Sequence, residues 1–143
     1  MNTRRRILAV ALAAYTAFVL FITLTPRIPG TGTVAIVVNS VLGYFHDRGL
    51  LIGVGYDDIE FLANIGMFVP LGVLAILVKR AWWVLPLGTA LSGFVELYQA
   101  LLLPGRVGEW RDVLSNSIGF VVGAGIVLLV RALRHEHPVI RRG

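Results

Sequence analysis

Four long apolar segments constrain this chain more than any other feature of its sequence. A helix needs about 17–25 apolar residues to cross a bilayer whose hydrocarbon core is about 30 Å thick. The segments that meet this length are residues 7–24, 59–78, 81–103 and 113–130. We therefore predict an all-α, polytopic membrane protein with four transmembrane helices, forming a single membrane domain over residues 1–143.

The composition excludes several other classes of protein. Apolar residues make up 57% of the chain and charged residues 15%, whereas soluble proteins average about 45–50% and 25%. These proportions exclude a disordered chain, a fibrous repeat and an ordinary soluble domain. The sequence contains no Cys, and its three His residues all lie outside the apolar segments. We therefore expect no disulfide, no metal site, no haem between helices and no other cofactor.

Lys and Arg residues collect on one side of the four segments. Nine of them lie before the first segment, between the second and third, or after the fourth, and four lie on the opposite side. The positive-inside rule then predicts that both termini are cytoplasmic. Twelve Arg against one Lys is typical of a GC-rich bacterial genome, so we expect a multi-pass protein of the bacterial cytoplasmic (inner) membrane. Because the charge is an orientation signal, we expect no nucleic-acid partner.

A short amphipathic helix is predicted in the outer loop between the first two segments, residues 25–58. Within it, residues 34–45 repeat apolar side chains at the spacing of one helical face. The predicted face consists of Val34, Val37, Val38, Val41, Leu42 and Phe45. Twelve residues are too few to span a bilayer. We predict that this helix lies flat on the outer surface or enters it briefly, either as a cover for the bundle or as a gate over a site.

Five polar side chains lie inside or at the edge of three apolar segments, where lipid does not tolerate them. They are Asn64, Glu96, Gln99, Asp112 and Asn116. At a rise of about 1.5 Å per residue, each lies within about 10 Å of the outer surface. Because they share this depth and lie on faces that pack against other helices, we predict that they converge in one outward-facing pocket.

Arg106 lies in the short loop beside these residues. Its guanidinium is suited to a carboxylate, a phosphate or a lipid headgroup. A structural ion pair from Arg106 to Glu96 or Asp112, closing the bundle, is the open alternative. The predicted ligand-binding site therefore consists of Asn64, Glu96, Gln99, Arg106, Asp112 and Asn116, with Glu96 as the candidate catalytic residue.

Proline and glycine predict how the segments are shaped and packed. Pro70 leaves the carbonyl of Gly66 without its helical donor, which predicts a bend in the second segment. Gly119 and Gly123 form a small-xxx-small pair in the fourth segment. Such a pair lets a neighbouring helix approach closely.

Two groups of residues resemble the signature of VanZ-like membrane proteins. The run from Asn64 to Gly72 is similar to the pattern N-x-x-x-F-x-P-L-G. The later residues resemble the pattern E-x-x-Q…R…D-x-x-x-N-x-x-G-x-x-x-G. Its lettered positions are occupied by Glu96, Gln99, Arg106, Asp112, Asn116, Gly119 and Gly123. The resemblance covers about residues 57–130 and selects the same six site residues.

The resemblance also implies a biological setting. The founding member of the VanZ-like family is associated with resistance to teicoplanin, an antibiotic that binds cell-wall precursors outside the membrane. A role in the cell envelope and in antibiotic resistance is therefore implied. The resemblance supplies no reaction.

Three hypotheses of function follow. The first is a pocket that binds a lipid headgroup, a lipid-linked cell-envelope precursor or a lipoglycopeptide, and so affects glycopeptide susceptibility. The second is a membrane enzyme acting on a lipid-linked substrate, with Glu96 as general acid or base. The third is a small proton-coupled transporter in which Glu96 carries the proton. The sequence leaves open the ligand, whether any reaction is catalysed, and the oligomeric state.

Overall fold

The protein is built from helices. The computed structural model describes residues 2–25, 32–79, 82–102 and 110–136, and these ranges contain five α-helices, one 3₁₀ turn and no β-strand. The helices are α1 (Thr3–Leu24), α2 (Gly32–His46), α3 (Tyr56–Lys79), α4 (Leu85–Leu102) and α5 (Trp110–Glu136), with the 3₁₀ turn at Trp82–Val84. The prediction of an all-α protein is confirmed.

Three of these helices are long and apolar enough to cross a membrane. They are α1, α3 and the part Trp110–Arg134 of α5, and they correspond to the predicted first, second and fourth segments. The prediction of a polytopic membrane fold is therefore confirmed.

The predicted third segment is shorter as a helix than residues 81–103. Trp82–Val84 form the 3₁₀ turn and α4 begins at Leu85. Pro86 follows, and a proline fits the first turn of an α-helix because the N–H it lacks would have no helical acceptor there. α4 has 18 residues, which gives it a length of about 27 Å. Glu96 and Gln99 lower its mean hydropathy. That α4 crosses the membrane stays a prediction.

Hydrogen bonds show that α1 and α3 run in opposite directions. Arg5 Nε, near the start of α1, donates a hydrogen bond of 3.2 Å to the carbonyl of Val78, near the end of α3. The Tyr15 hydroxyl, midway along α1, donates one of 3.1 Å to the carbonyl of Met67, midway along α3. The two helices are therefore antiparallel neighbours.

The most extensive helix contact joins α3 to α5, and it depends on glycine. A methyl group on Gly119 would collide with the carbonyl oxygen of Ile65, and one on Gly123 would collide with that of Val69. These two contacts advance in the same direction along both helices, so α5 runs parallel to α3. The predicted close approach at Gly119 and Gly123 is confirmed.

Side chains from several helices fill the core beside this contact. Its buried members are Val19, Phe68, Leu71, Ala75, Ile76, Val84, Phe120 and Ala124. Phe68 is the largest of the fully buried side chains. α3 continues as one helix through Pro70, and the predicted bend there stays a prediction.

The two ends of the bundle differ in chemistry. α1 begins, and α3 and α5 end, at one end, which we call the basic end because it carries Arg and Lys side chains. α1 and α4 end, and α3 and α5 begin, at the opposite end, which we call the polar end. The start of α1 and the end of α5 thus lie at the same end of the bundle. That this end is cytoplasmic stays a prediction.

The predicted short helix is present as α2, and the face that it buries coincides with the predicted face only in part. Ala35 and Leu42 are buried, whereas Val37 and Val41, which were predicted to share the packed face with Leu42, are about half exposed. The side chain of Val34 lies outside the described residues. The predicted face is thus buried in part, since Val38 and Phe45 are partly buried beside Leu42. Apolar residues cover about half of the circumference of α2, so spacing alone does not select which of them pack. How α2 lies relative to a membrane surface stays a prediction.

Candidate functional site

The first polar contact near the polar end joins α3, about two turns after its start, to the first turn of α5. Asn64 Nδ2 donates a hydrogen bond of 3.1 Å to Asp112 Oδ1, and both residues are partly buried. The parallel arrangement of α3 and α5 brings these residues to the same height. This hydrogen bond from an amide to a carboxylate holds α3 and α5 together. It leaves part of each group accessible.

A second polar contact lies deeper and joins α5 to α4. Asn116 Nδ2 donates a hydrogen bond of 3.1 Å to Ser92 Oγ, and both residues are buried. The other amide atom, Asn116 Oδ1, is buried with no hydrogen-bond partner among the described residues, and so is Ser117 Oγ. Unsatisfied polar atoms are costly to bury, so this part of the interior is more polar than packing alone requires.

A third polar contact joins α4 to α1. Gln99 Nε2 donates a hydrogen bond of 2.7 Å to the carbonyl oxygen of Thr23, and only 4% of Gln99 is exposed. Thr23 lies in the last turn of α1, where carbonyl groups have no donor within the helix. Gln99 therefore satisfies a helix end and fixes the separation of α1 and α4.

These contacts form a series of hydrogen-bonded pairs that connects four helices in the order α3, α5, α4 and α1. Asn64, Asp112, Asn116 and Gln99 all belong to it. The sequence predicted one shared pocket, whereas the described contacts are separate pairs at the same end of the bundle. That these residues bind a ligand stays a prediction.

Two members of the predicted site require separate comment. Glu96 lies on α4, one turn before Gln99, and is partly buried. Arg106 lies outside the described residues, in the sequence between α4 and α5. The predicted ion pair between Arg106 and a neighbouring carboxylate therefore stays a prediction.

An exposed ion pair lies beside the polar end. Arg111 Nη2 is 3.5 Å from Asp58 Oδ1, and the guanidinium carbon of Arg111 is 5.6 Å from the centre of the Phe61 ring. Asp58 also accepts a hydrogen bond of 2.9 Å from the backbone N–H of Gly55 at the start of α3. Such an exposed pair contributes little stability. It places one positive and one negative group side by side at this end of the bundle.

Sequence reasoning missed three partners at this end. A backbone carbonyl such as that of Thr23 leaves no sequence signal. Ser92 lies on the same face of α4 as Gln99. The sequence therefore indicates that Ser92 packs against another helix, but not that its hydroxyl pairs with Asn116. The Asp58–Arg111 pair follows from the parallel starts of α3 and α5, which only the structure shows. Within the described ranges, no three Asp, Glu or His side chains lie close enough together to hold a metal ion.

The Asn64–Asp112 contact is testable by a double-mutant cycle. We expect Asn64→Ala and Asp112→Ala to be non-additive by about 1 kcal/mol in the free energy of unfolding in mixed detergent micelles, because each variant removes the same hydrogen bond. The matched control pairs Asn64→Ala with Asp58→Ala, where the described contacts give no shared hydrogen bond. Additivity in both pairs would show that the Asn64–Asp112 contact has no energetic weight.

Comparison with known proteins identifies one family. A family model described as VanZ/LLP1 matches residues 9–131. The matched range runs from α1 to near the end of α5 and contains all six predicted site residues. No curated protein and no solved structure matches the chain.

Proposed function

This chain belongs to the VanZ/LLP1 family, and on that premise we propose that its polar end binds a ligand from the outer side of the bacterial inner membrane. The ligand is a lipid headgroup, a lipid-linked cell-envelope precursor or a lipoglycopeptide. In this proposal both termini are cytoplasmic, and binding changes susceptibility to teicoplanin-type glycopeptides.

The contact between Asn64 and Asp112 is the observation that carries this proposal. It holds a carboxylate and an amide, both only partly buried, side by side at the polar end of the bundle. Asn116 is almost completely buried one turn further along α5, and Gln99 is almost completely buried beside the end of α1, so both are suited to holding the helices at a fixed separation. Buried, hydrogen-bonded side chains that fix the helices beside accessible polar groups are what a preorganised binding site needs.

Glu96 and Arg106 complete the proposed site. Glu96 is partly buried on α4, and Arg106 is four residues in sequence from the end of α4 and from the start of α5. In the proposal, the Arg106 guanidinium binds a phosphate or carboxylate of the ligand through paired N–H groups. The carboxylates of Glu96 and Asp112 accept hydrogen bonds from hydroxyl or amide groups of the same ligand. Headgroups and lipoglycopeptides carry both kinds of group.

The test is conservative substitution with separate measurements of folding and of binding. We expect Glu96→Gln and Arg106→Lys to keep the folded yield and to weaken binding of teicoplanin to the purified protein about tenfold or more, because each removes a hydrogen bond to a charged group. The glycopeptide susceptibility of cells expressing each variant should change in parallel with binding.

Matched controls change a carboxylate and a guanidinium that lie outside the proposed site. Asp57→Asn removes an exposed carboxylate from the first turn of α3, and Arg48→Lys changes an exposed guanidinium beyond α2. Neither control should alter binding. If the Glu96 and Arg106 variants lose folded yield and binding together, these residues only close the bundle and the proposed function is wrong.

A further inference from the structure

A cleft at the basic end is a candidate for a second ligand. It has a volume of about 660 Å³ and is lined by residues of α1, α3 and α5. Five of its lining residues are basic: Arg4, Arg5, Lys79, Arg131 and Arg134. None of the lining residues, all of which belong to the described ranges, is Asp or Glu. The cleft is therefore strongly positive and lies at the opposite end of the bundle from the proposed site.

Two of the five cations stabilise the end of α3 with part of their hydrogen-bonding capacity. Arg5 Nε donates to the carbonyl of Val78 at 3.2 Å, and Arg131 Nη2 donates to that of Ile76 at 3.4 Å. Both carbonyls belong to the last turn of α3, which has no helical donors and the negative end of the helix dipole. A guanidinium has five N–H donors. Each Arg thus keeps donors for another acceptor.

The remaining cations have no anionic partner in the described part of the chain. The side chains of Arg4 and Arg134 are exposed, and no hydrogen bond or ion pair involves either guanidinium among those residues. The Lys79 ammonium lies 5.8 Å from the centre of the Trp83 ring. Like charges that share one cleft repel each other, so a bound anion would stabilise this arrangement.

The walls of the cleft indicate what carries the anion. Beside the basic groups, the lining includes the aliphatic residues Leu8, Leu77 and Val130. A soluble anion gains nothing from an aliphatic wall, whereas an amphiphile places its charged group among the cations and its chain along that wall. We infer that this cleft binds the phosphate group of an anionic phospholipid, with an acyl chain against the aliphatic residues. This site is independent of the one at the polar end.

Native mass spectrometry of the full chain in detergent tests the inference, with phosphatidylglycerol and phosphatidylcholine of the same acyl chains as probes. We expect the protein to bind phosphatidylglycerol, and we expect its affinity for this lipid to fall about 25-fold in Arg4→Gln/Arg134→Gln. Each basic side chain near a membrane surface contributes about fivefold to this affinity. Both residues are exposed and lack described partners, so helix content and elution volume should not change. If the double variant fails to fold, Arg134→Gln alone should show the fivefold loss.

The control is Arg48→Gln, which removes one exposed guanidinium near the start of α3, at the opposite end. It should leave phosphatidylglycerol binding unchanged. Equal binding of the two lipids, or an equal loss in Arg48→Gln and Arg134→Gln, would overturn the inference. Competition with inorganic phosphate distinguishes a site for a phospholipid headgroup from a site for a free phosphate ion. Full displacement of the lipid by millimolar phosphate would overturn the assignment to a phospholipid, whereas retention of the lipid supports it.

Discussion

Gly123→Ala is expected to destabilise the protein by about 3 kcal/mol, because a methyl group at this position would collide with the backbone of α3. The obstacle is the carbonyl oxygen of Val69, which cannot rotate away as a flexible side chain could. α3 and α5 would therefore have to separate along their most extensive contact. The measurement is the free energy of unfolding in mixed detergent micelles, followed by helix content or tryptophan fluorescence.

Gly125→Ala is the matched control, since it lies on the same helix two residues further on. Apart from its chain neighbours and the adjoining backbone of α5, no heavy atom of the described residues lies within 4 Å of the position that its methyl group would occupy. We expect the unfolding free energy of this variant to stay within about 1 kcal/mol of the original, the size of the difference in helix propensity between Gly and Ala. Equal stability of the Gly123 and Gly125 variants would show that the close packing of α3 on α5 is not required for folding.

The length and apolarity of the segments predicted most of the fold. α1, α3 and α5 follow from long, predominantly apolar runs, because a chain in lipid must satisfy its backbone hydrogen bonds within a helix. The glycine spacing on α5 also predicted a close helix contact. The start of α4 was less predictable, because Trp82, Trp83 and Val84 are as apolar as the helix that follows and only the backbone separates them.

The end of the bundle at which the candidate site lies was predictable, but the depth and the pairing of its residues were not. A rise of about 1.5 Å per residue predicts that Asn64, Gln99 and Asn116 lie at similar depth. In the structure Asn116 lies deeper, beside Ser92, whereas Gln99 lies at the end of α1, beside Thr23. Depth does not determine the rotation of a helix about its axis, and rotation decides which side chains meet. The partner of Gln99 is a backbone carbonyl, which no side-chain pattern reveals. The burial of α2 was predictable only in part for the same reason, since its apolar residues cover a wide arc of the helix.

The structure also divides the VanZ-like signature into two kinds of residue. Phe68, Gly72, Gly119 and Gly123 lie in the core or at the contact between α3 and α5, so helix packing accounts for them without any ligand. Asn64 and Asp112 are partly accessible and bond to each other. Tests of function therefore belong with the accessible polar residues, and tests of folding belong with the aromatic and glycine residues.

Phe68→Ala is expected to cost about 3–5 kcal/mol in the free energy of unfolding, the range for truncating a buried aromatic side chain. Its side chain is fully buried on α3 and packs within the cluster that includes Leu71, Ile76 and Phe120. Removing the ring would leave a cavity where these side chains lose their contacts. The loss of helix contacts should lower the folded yield. It should also lower the proportion of denaturing detergent in the mixed micelles at which half of the protein is unfolded.

Phe94→Ala on α4 is the control, because 57% of Phe94 is exposed. In a membrane, the exposed ring contacts lipid chains both before and after the helices associate, so its removal should change the unfolding free energy by less than about 1 kcal/mol. A similar loss in both variants would mean that burial inside the bundle does not govern stability. If only Phe68→Ala is destabilised, the aromatic position of the signature is structural, and a change in glycopeptide susceptibility in that variant follows from lost protein and not from lost binding.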